Sequence, residues 1–276
     1  MRFRILLMAL PVMATGSQAQ TRLSGRSFLH RYVVGCLGVD DDAFAVVRMP
    51  GGLPLAKRPM AGFSGTKDWI AGAGGPYSIV AVKPRANDAF GISLDHLKVG
   101  TYRSSLASVS YGMSLSEEWQ AGIRIGFSHT RIEGYGSELS LPFSVGAVYR
   151  MSRGLRFTLH VDHAGRPLSG RGPADARLPS AVHFGTGLRL SDQAGIALHL
   201  VKQEGRPVSF IPMLQYRPAH AIDVRAGLSA ETSGMYLCLG LLRKGWRLDL
   251  SMNRNGSLGW SSGLAIQRTH TNDRAP

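Results

Sequence analysis

A chain of 276 residues with 44% hydrophobic and 18% charged residues is too apolar for disorder and long enough for one large or two small domains. Its formal charge of +14 would suit nucleic acid, but the arginines are spread along the chain and the amino terminus reads as an export signal, so nucleic acid is excluded as a partner. Thirty-four glycines without a collagen-like period point to many turns or closely approaching backbones.

Residues 1–19 have the pattern of a secretory signal peptide. Arg2 and Arg4 form the basic start, and Ile5 to Val12 is an apolar run too short to span a bilayer as a helix. Ser17 and Ala19 place small residues at −3 and −1 of an expected cleavage before Gln20. Residues 20–56 do not alternate. They carry Tyr32 to Cys36, the acidic run Asp40-Asp41-Asp42, and Met49-Pro50-Gly51-Gly52-Leu53. This segment is expected to plug a barrel lumen in part, with a periplasmic tail or a short helix as alternatives. Cys36 and Cys238 are far apart and are expected to be free thiols, and no zinc spacing is present.

From Met60 onward, stretches of roughly ten residues alternate apolar and polar, with turn residues between them. Trp246, Leu248, Leu250 and Met252 share one face, and Arg247, Asp249, Ser251 and Asn253 the other. Leu155 to Asp162, Gln120 to Ser128, Val182 to Leu190 and Ile222 to Ser229 repeat the pattern. Strands are predicted near 60–69, 77–84, 88–97, 103–114, 118–131, 139–151, 155–163, 181–190, 194–202, 206–217, 220–229, 233–243, 245–254 and 257–268. That is about fourteen, an even number, as a single-chain bacterial barrel requires. The expected fold is therefore all-β, an antiparallel transmembrane β-barrel over residues 57–268 with a tail at 269–276. Trp119, Tyr149, Tyr216, Trp246 and Trp260 fall near strand ends, where an interfacial girdle belongs. Residues 151–154, 217–219 and 243–245 read as tight turns, and 164–179 as a surface loop. Pro142 and Pro212 fall inside strands and are expected to mark a bulge or local opening.

Several segments resemble one family in order. Asp42 to Leu53 is similar to the segment that precedes the first barrel strand in PorV/PorQ-like proteins of Bacteroidota, which are related to FadL-type transporters. Met49 and Gly51 stand where that segment usually has asparagine and alanine. Lys57 to Ser64, Phe90 to Asp95, Thr130 to Ser137 and Leu178 to Ser191 extend the resemblance. It implies a FadL-like barrel of about fourteen strands with an amino-terminal plug. Some relatives move hydrophobic compounds, and others serve secretion and surface attachment.

The polar faces supply the candidate functional residues. Arg124, Arg156, Arg189, Arg225 and Arg247 would line the lumen, either as a path for anions or carboxylates or as structural partners of Asp95, Asp162, Asp223 and Asp249. His160 and Asp162 share a strand face and, with His183 or His199, would form a metal site or a hydrogen-bonded lumen network. No metal or cofactor is assigned. No Gly-x-Ser-x-Gly elbow is present, and an enzyme is not expected. The reading is an exported outer-membrane barrel conducting small hydrophobic or anionic molecules. A structural or secretion-accessory barrel is the alternative, and a membrane hydrolase the third. Expected partners are outer-membrane lipid, a small hydrophobic or anionic ligand, and a secretion or surface protein.

Overall fold

Period-two alternation becomes a closed ring of strands in the computed structural model of the chain, which describes residues 42–44, 49–68, 74–163, 167–170, 180–229, 234–255 and 259–270. The expected signal peptide, Cys36 and the tail from 271 onward lie outside the described residues. A 3-10 helix, η1 (Pro50–Leu55), precedes the strands. They are β1 (Met60–Asp68), β2 (Gly74–Pro84), β3 (Asp88–Val99), β4 (Tyr102–Ser114), β5 (Trp119–Ile132), β6 (Gly136–Ser140), β7 (Phe143–Arg150) and β8 (Leu155–His163). There follow β9 (Pro167–Gly170), β10 (Ala181–Arg189), β11 (Ala194–Gln203), β12 (Val208–Ala219), β13 (Ile222–Ser229), β14 (Gly234–Arg243), β15 (Trp246–Asn255) and β16 (Gly259–Thr269).

The strands pair antiparallel. β16 returns to β1, and the β4–β5 ladder completes the ring. β6 and β7 are two lengths of one wall strand, since both pair with β5. β9 prolongs β8, pairing with β6 where β8 pairs with β7. The wall thus has the fourteen strands read from the sequence. Closure leaves no strand at an open edge of the ring, where hydrocarbon would offer its backbone groups no partner.

The two faces follow from the pleat. Leu239, Leu250 and Leu264 stand side by side on β14, β15 and β16, exposed by 38%, 44% and 40%. Their strand neighbours Cys238, Asp249 and Ala265 are buried inside. On the opposite wall Ile92, Val109, Ile125 and Phe143 form a second outward row. A continuous exposed apolar belt of this kind matches lipid rather than water. Among the described residues no helix is long and apolar enough to cross a membrane.

Trp119, Tyr149, Tyr216 and Trp246 lie on the rim that also carries the start of β1 and the end of β16. Trp119 stacks on Tyr149 with centroids 4.5 Å apart, and the Arg268 guanidinium sits 5.2 Å over Trp246. Trp260 lies on the opposite rim beneath Arg254. Connections on the first rim are short. Lys244 and Gly245 join β14 to β15 with φ of 47° and 77°, the two positive values of a type I′ hairpin.

The prolines act as local breaks. Leu141 and Pro142 separate β6 from β7. Pro212 keeps its partner Leu198 on β11, but the β12–β13 ladder ends at Met213 and Gly227. Leu228 then pairs with β14 alone. Two sequence expectations are corrected. The turn expected at 217–219 falls at His220 and Ala221, because β12 runs through Ala219; Pro218 is tolerated within an irregular stretch between Tyr216 and Ala219. The loop expected at 164–179 contains β9, which is held by pairing with Glu138 to Ser140.

Candidate functional site

The interior is built first around three small residues. Gly112, Gly122 and Gly146 lie in register on β4, β5 and β7 and face inward. A Cβ on Gly122 would fall on the Pro50 carbonyl group, and one on Gly112 would come within 2.6 Å of the Pro50 oxygen. A Cβ on Gly51 would come within 2.6 Å of the Gly146 oxygen. η1 therefore rests in a groove that only glycine leaves open. Proline at its first turn suits a helix start, where the N–H has no partner to lose.

Around η1 the amino-terminal segment supplies apolar contacts. Ala43, Phe44, Leu53 and Ala56 pack with Val80, Val82, Ala89 and Ala265. The Phe44 ring covers Gly62, and the Ala43 N–H donates to Gln267 Oε1 at 3.1 Å. Met49, 1% exposed, packs in a second cluster with Val148 of β7 and with Ala197, Ile211, Met213 and Tyr236 of β11, β12 and β14. Those strands lie on different arcs of the ring. One thioether side chain thus belongs to an apolar bridge across a mostly polar interior.

On one side of this bridge sits an ion-paired quartet. Asp223 of β13 and Asp249 of β15 both stand opposite Gly240 of β14. A Cβ on Gly240 would come within 2.7 Å of Asp249 Oδ1, so the glycine lets the outer two strands join over β14. Arg225 Nη2 donates to Asp249 Oδ1 at 2.6 Å, and Arg247 Nη2 donates to Asp223 Oδ2 at 2.6 Å. Arg247 Nε donates to Asp249 Oδ2 at 3.0 Å, and Gln215 Nε2 to Asp223 Oδ1 at 2.6 Å. Cys238, a buried free thiol, accepts from Arg225 at 3.3 Å. Two guanidinium groups thus face two carboxylates, all four buried. The compensation is what makes such charges tolerable away from water.

On the other side lies a histidine stack. His160 of β8 stands opposite His183 of β10, with ring centroids 5.4 Å apart. His199 of β11 stacks on His183 at the same spacing. Asp162 lies beside them, 3.3 Å from His160 Nε2 and 3.6 Å from His183 Nε2. Arg124 Nη2 donates to Asp162 Oδ1 at 3.1 Å and to Ser144 Oγ at 2.8 Å, and Ser144 Oγ donates to Asp162 Oδ1 at 2.5 Å.

The ten sequence candidates therefore divide into three groups. Asp223, Arg225, Arg247 and Asp249 meet in the quartet, while Arg124, His160, Asp162 and His183 meet around the histidine stack. Arg156 and Arg189 join neither. They border a small recess at the first rim beside Arg150, Arg153 and Arg217, with Arg189 exposed. Next to it a cavity of about 770 Å³ opens at the same mouth, lined among others by Lys57, Arg58, Arg189, Arg217 and Lys244. Sequence reasoning missed Met49, Gln215 and the functional sense of Gly112, Gly122, Gly146 and Gly240. For Gln215 and the glycines the signal is an inward phase, visible only once strand register is known, while Met49 lies before the first strand and carries no such signal.

A hydroxyl–imidazole pair occurs on the outer face, where His96 Nδ1 lies 2.9 Å from Ser105 Oγ. Its row across the strands is Gly65, Tyr77, His96, Ser105, His129 and Leu139, which offers no carboxylate or amide to orient the imidazole.

No protein-family model and no curated protein sequence matches the chain. Solved structures do match it. A structure titled CymD monoaromatic hydrocarbon channel is 12% identical, with a TM-score of 0.63 over 84% of this chain and 94% of that one. The toluene transporter TodX of Pseudomonas putida is 8% identical, with a TM-score of 0.63 over 84% and 95%. A FadL homologue of Pseudomonas aeruginosa is 10% identical, with a TM-score of 0.60 over 86% and 95%. The chain is a closed fourteen-stranded antiparallel barrel. Its fold is similar to that of these three structures.

Proposed function

We propose that the chain is an outer-membrane channel for small molecules, that residues 20–56 act as its plug, and that its path favours apolar solutes over anions. The carrying observation is the apolar cluster around Met49, which bridges the interior between the quartet and the histidine stack. Arginines Arg124, Arg225 and Arg247, which would have attracted anions, are engaged by Asp162, Asp223 and Asp249. Charged groups already compensated offer little field to a passing anion. The basic residues at the cavity mouth are a weaker argument for anions, because exposed charges are screened by salt. The similar structures titled monoaromatic hydrocarbon channel and toluene transporter support the same choice. Export through residues 1–19 would deliver the chain to the outer membrane.

A structural or secretion-accessory barrel, the role attached to PorV/PorQ-like relatives, would need a broad loop surface. The connections described at the far rim between β3 and β4, β5 and β6, and β11 and β12 are short, and the longer one after Gly170 lies outside the described residues.

The test is uptake of a radiolabelled monoaromatic hydrocarbon by a Gram-negative host lacking channels of this fold. Cells expressing the chain are expected to take it up faster than empty cells, and faster than they take up an aromatic carboxylate of equal size. Met49→Asp should remove the difference, because it places an acid in the apolar bridge. Uptake equal to that of empty cells would refute the reading.

A further inference from the structure

We propose that His160, Asp162 and His183 form a binding site for a divalent transition-metal ion of the zinc type inside the barrel wall. One ligand atom from each residue lies within 4.8 Å of the other two. A tetrahedral ion with bonds of about 2.1 Å holds its ligand atoms about 3.4 Å apart. The separations of 3.3 Å from His160 Nε2 to Asp162 Oδ1 and 3.6 Å from His183 Nε2 to Asp162 Oδ2 are close to that, each to a different carboxylate oxygen, and a turn of the side chains would close the set on one ion. Two imidazoles and one carboxylate make a donor set for zinc and its neighbours rather than for calcium or magnesium.

A second observation points the same way. His160 is 2% exposed, and its Nε2 makes no hydrogen bond although it faces Asp162. His199 is 1% exposed, and neither of its ring nitrogens has a hydrogen-bond partner. Buried imidazole nitrogens left in this way cost free energy, and an ion bound at His160 Nε2 would satisfy that one. His199 stacks on His183 at 5.4 Å and adds a third buried imidazole next to the pair.

The surroundings fit a site of modest affinity. Ser144 and Arg124 hold Asp162 Oδ1 as an outer layer, fixing the carboxylate. The Arg124 guanidinium also places a positive charge beside the ion, which weakens its binding. The ion would tie β8 to β10 and, through Asp162, to β5 and β7. This is an exchangeable site in a transmembrane wall. It does not depend on what the barrel conducts.

The experiment uses the full mature chain, folded in detergent without a histidine tag, and titrates it with zinc chloride by calorimetry. One zinc per chain is expected. The variant His160→Asn/His183→Asn should lose that uptake, whereas His96→Asn/His129→Asn, altered on the outer face, should keep it. Ser144→Ala should weaken binding roughly tenfold, as loss of an outer-layer contact does. Cobalt chloride added to the wild-type chain should give the intense visible absorption of a four- or five-coordinate ion, a reading that needs no variant to fold. Absence of stoichiometric uptake, uptake unchanged in the His160/His183 variant, or a six-coordinate cobalt spectrum would each overturn the proposal.

Discussion

Gly122 lies directly against Pro50: a Cβ built on this glycine would fall on the proline's carbonyl group. With Gly112 and Gly146 beside it, the contact fixes where the amino-terminal segment crosses the interior. Gly122→Leu would drive a branched side chain into that groove. Overpacking of this kind costs about 1–3 kcal/mol, and here η1 can leave while the wall stays intact. The expected result is faster proteolysis between residues 49 and 56, with the folded-barrel gel mobility retained. Proteolysis at the wild-type rate would show that η1 is not held there.

The quartet predicts an asymmetry between single and double changes. Asp249→Ala leaves Arg225 and Arg247 buried with one carboxylate between them, and breaking a buried pair in this way costs about 3–5 kcal/mol. Arg225→Met combined with Asp249→Leu removes both charges of one bond, so it should cost much less than the sum of the two single changes. Urea unfolding from lipid vesicles measures both. Additive losses would mean that the four residues do not act as a unit.

The wall itself predicts a face difference. Leu250 points to lipid between Leu239 and Leu264, and Ser251 points inward. Leu250→Arg places a cation at mid-wall and should cost about 2–4 kcal/mol of folding stability in vesicles. Ser251→Arg should cost less, since its side chain enters the polar interior. Equal losses would contradict the assignment of faces.

The hairpin between β14 and β15 offers a stabilising change. Lys244 holds a positive φ that a lysine adopts at a cost, and Gly245 follows it. Lys244→Asn creates the Asn-Gly pair favoured in type I′ turns and should add about 0.5 kcal/mol or more. A midpoint of urea unfolding at or below that of wild type would count against it.

Much of the barrel was legible because period two survives without knowledge of neighbours. Trp246 to Asn253 shows its two faces in eight letters, and the same test repeated along the chain gives fourteen strands. Pro142 and Pro212 were legible for a local reason, the missing N–H. What escaped was whatever depends on register. Asp223 and Arg225 read as one polar face and Arg247 and Asp249 as another, but nothing local says that Gly240 lies between them and lets them meet. The arginines were open to an anion path or to structural pairing. For Arg124, Arg225 and Arg247 the partners are carboxylates, while Arg189 is exposed at the mouth. The short strand Pro167–Gly170 was hidden for a similar reason. It is held by Glu138 to Ser140, not by any alternation of its own.

The central claim is a path through the barrel that residues 20–56 restrict. Conductance in planar lipid bilayers tests it most directly, comparing the mature chain with one lacking residues 20–56. The full-length Gly122→Leu chain serves as a version without truncation. The account predicts small or rare openings for the mature chain and larger, longer openings for both altered chains. Identical conductance in all three would contradict it.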